Sequence, residues 1–281
     1  MLRLETATHT DIGLRATNQD CLFAKIENIA GKVYGLFCVS DGMGGLNDGH
    51  YAATVAIESV EKWWNKRLRF LIEHEAVKKS HINEEFTALF RSANDTILQH
   101  SQKENAMIGT TCSLLFVCNN MFYIAHTGDT RIYMTQKQWF LKSQIKQLTD
   151  DHSWEADQFR KGLLSADEIQ SHPNKNKLTG CLGVFEHPRV FTYSDYIKRD
   201  GFFILCSDGL YRAISDSEME KIASRQRSCE HLAKKLIVTA KERNTPDNAS
   251  VVVVKFGGKI KRLWRETEER DRHHRNTPTE T

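Results

Sequence analysis

Five aspartates in this chain lie at or beside the ends of strand-like apolar segments. Asp41 and Asp208 directly follow GLFCVS and FFILCS, and Asp129 follows MFYIAHTG. Asp20 comes just before CLFAKI, and Asp247 comes just before NASVVVV. If these strands lie side by side, the five carboxylates converge, and several like charges within a few ångströms cannot all stay ionised without a cation. The pattern therefore predicts a cation site at the rim of a sheet.

The type of donor indicates which cations such a site would bind. Carboxylate oxygens suit hard ions such as Mg²⁺ or Mn²⁺, whereas zinc prefers imidazole or thiolate ligands. Two ions about 3.5–4 Å apart, bridged by a carboxylate and a water, promote in-line attack at phosphorus because they lower the pKa of that water. No serine or cysteine nucleophile is then required. For any one of these aspartates a plain turn is an equal alternative, but that alternative weakens for all five together.

The segments between the aspartates predict an α+β domain that carries these side chains at strand ends. Apolar residues recur every three or four positions over 50–79 and 83–103, which predicts two helices. Residues 113–126 predict a hairpin with Asn119 and Asn120 as its two-residue turn. The other predicted elements are strands at 21–26, 33–40, 131–135, 139–141, 202–207 and 250–256, helices at 154–170 and 229–243, and a helix that begins at Ser215 with a Ser-x-x-Glu capping box.

One domain is predicted, over residues 1–258, because the chain has no internal repeat and no second composition regime. Residues 259–281 form a charged C-terminal tail, KIKRLWRETEERDRHHRNTPTET. For this tail we expect a short helix that docks through Ile260, Leu263 and Trp264, followed by a disordered end.

Composition and charge exclude several classes of protein. Hydrophobic residues make up 40% of the chain and charged residues 27%, which is typical of a globular domain and excludes disorder as the main state. A net charge of +3 without a basic stripe argues against nucleic acid as a partner. We expect no membrane span and no secretory signal, since the chain has no long apolar segment. Seven scattered cysteines without a CxxC pair favour the reducing cytoplasm.

A family resemblance comes from eight short segments. In chain order they are TDIGLRATNQD, VSDGMGG, GTTCSL, AHTGDTRIY, QLTDDHSW, LTGCLG, LCSDGL and PDNASVVVV. Together, from about Thr10 to Phe256, they resemble the metal-dependent type 2C protein phosphatases, above all the compact bacterial members. The resemblance implies a four-layer αββα sandwich, in which two central antiparallel β-sheets are flanked by helices and the metal site lies in a cleft at one end.

The resemblance also implies a role for each aspartate. Asp41 would bridge two core Mn²⁺ or Mg²⁺ ions, and the Gly42 carbonyl would bind one of them. Asp208 and Asp247 would complete the protein ligands of the first ion, and Asp20 would hold water bound to the second. The remaining aspartate, Asp129, would join Asp208 at a third, weaker metal site.

Arg15 lies five residues before Asp20, as in the family, and would bind the substrate phosphate through a bidentate fork. Animal members place a histidine, the expected general acid, where this chain has Met43; bacterial members have methionine there too. His152 matches a family histidine, for which a hydrogen-bonded structural role is an equal alternative. The segment 154–180 corresponds to a mobile flap beside the cleft in bacterial members; a packing helix is its alternative.

These observations predict an enzyme: a Mg²⁺- or Mn²⁺-dependent protein serine/threonine phosphatase with Arg15, Asp20 and Asp41 as its catalytic residues. Its partners would be phosphorylated proteins and a cognate bacterial Ser/Thr kinase, and we expect a cytoplasmic monomer. The alternative is a catalytically weak regulator of the same fold that binds phosphoproteins. A metal-dependent nuclease is a third reading, against which the charge balance argues.

Overall fold

Eleven strands form two antiparallel sheets in the computed structural model, which describes residues 2–45, 47–74, 77–136, 144–165, 168 and 172–258. The first sheet has the order β1-β11-β10-β7-β8, with β1 (Leu2–Asp11), β11 (Ala249–Gly258), β10 (Gly201–Cys206), β7 (Arg131–Gln136) and β8 (Gln144–Gln147). The second has the order β2-β3-β5-β6-β9, with β2 (Asp20–Ile29), β3 (Lys32–Met43), β5 (Cys112–Cys118), β6 (Met121–Thr127) and β9 (Phe191–Tyr196). The short β4 (Gly109–Thr110) pairs with β3.

Helices cover the outer faces of both sheets. On the second sheet lie α1 (Asp48–Lys62) and α3 (Lys79–Glu104); a π-helical segment (Trp63–Leu68) joins α1 to α2 (Arg69–Glu73). On the first sheet lie α6 (Asp216–Arg225) and α7 (Cys229–Glu242). Two shorter helices, α4 (Trp154–Arg160) and α5 (Asp208–Tyr211), complete the described helical structure.

The period-2 alternation of strand side chains builds the layers. On β3, Leu36 and Cys38 pack against the helices, whereas Phe37 and Val39 point into the space between the sheets. The same alternation divides β10 and β11 between the inter-sheet core and the α6–α7 layer. The predicted α+β sandwich, with four αββα layers and two central antiparallel sheets, is confirmed.

The predicted hairpin over 113–126 is confirmed. Asn119 and Asn120 connect β5 to β6 with φ of 49° and 61°. Left-handed backbone at both positions is the type I′ turn that matches the twist of paired strands, and asparagine tolerates it well.

Other predicted elements need correction. The helix expected over 50–79 ends at Glu73 after a π-helical segment, and the helix expected over 154–170 ends at Arg160. Ser215 is the N-cap of α6, but its side chain makes no capping hydrogen bond, and the Glu218 carboxylate pairs with Arg243 instead. The strands β1, β8 and β9 were not predicted. The strand expected at 139–141 and the tail 259–281 lie outside the described residues, so the domain boundary stays a prediction.

None of the helices in the described ranges combines the length and the apolarity that crossing a membrane would require.

Candidate active site

An open cavity of about 590 Å³ lies at one end of the sandwich. Four of the five predicted aspartates and two arginines line it: Asp41, Asp129, Asp208, Asp247, Arg15 and Arg212. The predicted convergence of carboxylates at a sheet rim is therefore present in the fold.

Strand pairing brings Asp20 to Asp41. These two residues are direct partners in the antiparallel β2–β3 ladder, so their side chains lie on the same face of the sheet. Asp20 is 9% exposed and is not among the residues that line the cavity.

A second set of pairings brings the other three aspartates together. Cys206, the last residue of β10, pairs with Arg131 at the start of β7 and with Val251 near the start of β11. Asp208 follows β10, Asp129 precedes β7 and Asp247 precedes β11. All three carboxylates therefore reach the same rim.

Two threonines hold the backbone of Asp41, and a serine holds the side chain of Asp20. The Asp41 N–H donates to Thr111 Oγ1 at 2.9 Å, and the Asp41 carbonyl accepts from the Thr110 hydroxyl at 2.9 Å. The Ser207 hydroxyl donates to Asp20 Oδ2 at 2.7 Å and accepts from the Ser250 N–H at 2.9 Å. These bonds restrict Asp20 and Asp41 before any ligand is present.

Asn248 holds the loop that connects β1 to β2. Its side-chain amide donates to the carbonyls of Ile12 and Thr17 at 2.8 and 3.0 Å, and its Oδ1 accepts from the Gln19 N–H at 2.9 Å. The loop carries Arg15 and leads into Asp20, so Asn248 positions both. Sequence reasoning assigned Asn248 no role, although it directly follows Asp247.

Glycines allow the start of α1 to approach the end of β3. A Cβ on Gly42 would lie 2.0 Å from the Gly49 carbonyl oxygen, and one on Gly49 would lie 2.8 Å from the Gly42 carbonyl carbon. Only glycine fits at these two positions.

Burial and mutual repulsion raise the pKa of four of the aspartates. The pKa of Asp20 is raised to about 7, mainly by burial and then by the charge on Asp208. Burial also raises the pKa of Asp129 to about 7 and that of Asp208 above its usual value. For Asp41, loss of hydration and then the neighbouring Asp20 raise the pKa well above its usual value. Ionising the whole set requires additional positive charge.

Two buried oxygens fit a divalent cation. Asp20 Oδ1 and Asp208 Oδ1 are buried and have no hydrogen-bond partner, which is costly for a carboxylate unless a cation binds there. Among the described residues, no group of three or more His, Cys, Asp or Glu side chains is arranged so that it could hold a metal ion as it stands. Arg15 and Arg212 each take up one carboxylate oxygen of the set, which opposes such grouping.

Arg15 lies at the cavity, as predicted, and its side chain is 59% exposed. Its guanidinium donates to Asp247 Oδ2 at 2.6 Å. A cation bound at Asp247 and a phosphate bound at Arg15 would therefore each compete with this ion pair.

Arg212 was not predicted as a site residue. It follows Asp208 by four residues, one helical turn, and its guanidinium lies 3.2 Å from Asp208 Oδ2 and 3.7 Å from Asp129 Oδ2. The i, i+4 spacing of Asp208 and Arg212 was the available sequence signal.

The geometry at His152 favours a structural role. The residue is 1% exposed, and its Nδ1 accepts from the Gly128 N–H at 3.4 Å, beside the loop that carries Asp129. Burial, followed by neighbouring His126, lowers the pKa of His152 to about 3, so the ring is neutral. A neutral, buried imidazole is a poor general acid.

The predicted flap borders the cavity. Asn176, Lys177 and Leu178 are part of the cavity lining, and the Lys177 carbonyl accepts from the Trp154 N–H at 2.8 Å. Part of 154–180 lies outside the described residues, and the mobility of the segment stays a prediction.

Comparisons with known proteins agree with this geometry. The serine/threonine phosphatase Stp of Listeria monocytogenes is 29% identical over 218 residues, which are 77% of this chain and 82% of that protein. A solved serine/threonine phosphatase of S. agalactiae is 25% identical, with a TM-score of 0.78 over 90% of this chain and 99% of its own. The catalytic domain of the phosphatase PstP, solved in complex with 2 manganese ions, is 23% identical, with a TM-score of 0.72 over 92% of this chain and all of its own.

The family model described as protein phosphatase 2C matches residues 11–243, a range that includes four of the five aspartates, Asp20, Asp41, Asp129 and Asp208, and ends four residues before Asp247. This match covers most of the chain, and the fold agrees with solved bacterial phosphatases. The chain therefore belongs to the protein phosphatase 2C family of phosphoprotein phosphatases.

Proposed function

We propose that this protein removes phosphate from phosphoserine and phosphothreonine in proteins, and that it depends on two core Mn²⁺ or Mg²⁺ ions. The observation that carries the proposal is the pair of unpartnered oxygens, Asp20 Oδ1 and Asp208 Oδ1, buried beside a cavity lined by further carboxylates. Oxygen donors of this kind match Mg²⁺ and Mn²⁺ and do not match zinc.

The assignment of ligands follows the strand ends. Asp41, the Gly42 carbonyl, Asp208 and Asp247 would hold the core ions, and Asp20 would act next to them through water. Bound there, divalent ions would supply hydroxide for in-line attack on phosphorus and neutralise charge on the phosphoryl oxygens. The threonine contacts to the Asp41 backbone and the serine contact to the Asp20 carboxylate support this role because they hold both residues in place beforehand.

The substrate would enter on the side of Arg15. Its exposed guanidinium would bind two phosphoryl oxygens through its fork and orient the phosphorus toward the acidic end of the cavity. Met43, Met107, Val184 and Phe185 form an apolar part of the lining, which would contact side chains next to the phosphorylated residue and exclude water.

We also propose phosphoproteins modified by a bacterial Ser/Thr kinase as substrates, a monomeric state and a cytoplasmic location. The bacterial relatives named as serine/threonine phosphatases support the substrate class. All seven cysteines are free, which supports a reducing compartment.

The alternative is a regulator of the same fold that binds phosphoproteins with weak catalysis. The observation in its favour is that Arg15 and Arg212 already pair with Asp247 and Asp208, and thereby compete with metal ions for these carboxylates. A turnover measurement separates the two functions.

The test is hydrolysis of a phosphothreonine peptide by the purified chain, with Mn²⁺ or with a chelator, by the wild type and by Asp41→Asn. We expect turnover with Mn²⁺, none with chelator, and a loss of about 100-fold or more in kcat for Asp41→Asn. Asp95→Asn, on the exposed side of α3, is the matched control and should keep full activity.

Two outcomes contradict the proposal. Turnover that persists in chelator rules out the dependence on divalent ions. If the wild type binds the phosphopeptide in Mn²⁺ but does not hydrolyse it, the regulator is the better description.

A further inference from the structure

Arg212 places a permanent positive charge between two carboxylates of the cavity. Its guanidinium lies 3.2 Å from Asp208 Oδ2 and 3.7 Å from Asp129 Oδ2, and it lines the same cavity as both. An arginine stays charged at any pH that a folded protein tolerates.

The two oxygens of Asp208 have different surroundings. Oδ2 pairs with Arg212, whereas Oδ1 is buried and has no hydrogen-bond partner. Oδ1 is therefore left for a core ion, while Oδ2 pairs with the same guanidinium nitrogen that faces Asp129 Oδ2 and is already neutralised by the protein.

The position of Arg212 is held from both sides. Its N–H donates to the Asp208 carbonyl at 2.9 Å at the end of α5, and the neighbouring Tyr211 ring lies 3.7 Å from the Arg131 guanidinium carbon. Arg131 in turn makes a bidentate ion pair with Asp151. These contacts fix the turn from which the Arg212 side chain extends to Asp129 and Asp208.

We propose that Arg212 takes the place of a cation between Asp129 and Asp208, so that the cavity binds two divalent ions and has no room for a third. Asp129 then serves as a partner of Arg212 and does not bind metal in the wild-type protein. A divalent ion placed there would meet the guanidinium within a few ångströms, and the repulsion would offset its attraction to the two carboxylates. The proposal rests on the proposed function, since it assumes that core ions bind at Asp41, Asp208 and Asp247.

The experiment counts bound ions. Free Mn²⁺ is measured by electron paramagnetic resonance during titration of the full chain, freed of metal beforehand with a chelator. We expect two bound ions in the wild type and three in Arg212→Ala. Arg69→Ala, which removes the arginine of an exposed ion pair with Glu27, is the matched control and should bind two.

Further variants test the mechanism and guard against loss of folding. Arg212→Gln keeps much of the side-chain volume without the charge and should bind three ions, whereas Arg212→Lys keeps the charge and should bind two. Adding Asp129→Asn to Arg212→Ala should return the count to two, because the new site loses a ligand. Thermal unfolding in chelator and in Mn²⁺ monitors folding; without a cation, Asp129 and Asp208 repel each other, so Arg212→Ala should gain more stability from Mn²⁺ than the wild type.

The possible counts have different consequences. Three ions in the wild type, or two in both Arg212→Ala and Arg212→Gln, overturn this inference and leave the proposed function standing. A wild type that binds no Mn²⁺ overturns the inference together with the metal dependence of the proposed function.

Discussion

Arg15 and Asp247 illustrate a competition within the cavity. The guanidinium donates to Asp247 Oδ2 at 2.6 Å, in an ion pair of which both partners are partly exposed. Asp247 cannot give both of its oxygens to a cation while this bond persists. An ion that binds both oxygens of Asp247 would release Arg15 toward the phosphate, which would couple the loading of metal to the binding of substrate.

Arg15→Ala should mainly raise KM. A charge-assisted fork to phosphate contributes about 1.5–3 kcal/mol, which corresponds to a KM about 10–150-fold higher for a phosphothreonine peptide, with a smaller change in kcat. Arg15→Lys should lose most of the bidentate contact, and its KM should lie between those of the wild type and Arg15→Ala. The measurement is steady-state kinetics at saturating Mn²⁺, with Arg69→Ala as the control. A fall in kcat at unchanged KM would show that Arg15 acts only in the transition state.

At the scale of elements, the contact between β3 and α1 sets the cavity wall. Gly42 follows Asp41, and its backbone touches Gly49 in the first turn of α1. The Asp48-Gly49 pair is a turn signal by sequence, yet here it begins a helix, and the nearby β3 backbone leaves no space for a side chain at Gly49.

Gly42→Ala should damage both stability and activity. The added methyl would meet the Gly49 carbonyl oxygen at 2.0 Å, and relief of that clash requires β3 and α1 to move apart. We expect a loss of about 1–3 kcal/mol in the free energy of unfolding and near-complete loss of turnover, since Asp41 shifts with the strand. Chemical denaturation and the phosphopeptide assay measure the two effects.

Gly45→Ala is the comparison for Gly42→Ala. Its added methyl would meet only the end of the Asp48 side chain, which can rotate away. Equal losses of stability and turnover in the two variants would show that close packing at Gly42 does not cause the effect of Gly42→Ala.

At the scale of the whole molecule, the acidic site makes stability depend on pH and, under the proposed function, on divalent ions. Asp20 and Asp129 each have a pKa of about 7 in the folded protein, above the usual 3.8. The folded state therefore binds more protons than the unfolded state between about pH 4 and 7, so stability without ions falls as the pH rises through this range.

Two buried histidines act in the opposite direction. Burial lowers the pKa of His126 to about 4 and that of His152 to about 3, so stability is also lost as the pH falls below 6.5. This loss occurs with or without metal ions, and it cancels in a comparison of the two conditions.

The gain in melting temperature from Mn²⁺ over chelator should increase from pH 5 to about pH 7 and level off above it. A proton on Asp20, whose pKa is about 7, opposes the binding of ions next to it, and this proton leaves over the same pH range. Thermal unfolding at fixed Mn²⁺ concentration measures the gain, and Asp20→Asn should flatten its pH dependence. A gain that is constant with pH would contradict the role of these carboxylates.

Particular residues show how far sequence reasoning reached. The turn at Asn119 and Asn120 was predictable because its signal is local: two residues that tolerate positive φ between two apolar runs. By contrast, β1 was missed because only three of its ten residues, Leu2, Leu4 and Ala7, are apolar, and because it is defined by pairing with β11 across the whole chain. The predicted capping box at Ser215 does not form because the Glu218 carboxylate pairs instead with Arg243, 25 residues further along the chain.

What the sequence determined by itself was the chemistry available at strand ends: five aspartates, a glycine after Asp41, and an arginine five residues before Asp20. Alternation and turn signals are local, so they indicate where such side chains lie along the chain. Only the tertiary structure decided which carboxylates become neighbours and which of them pair with Arg15 and Arg212. These relations depend on the registers of strands far apart in sequence, such as that of Cys206 with Arg131 and Val251, and long-range packing sets those registers.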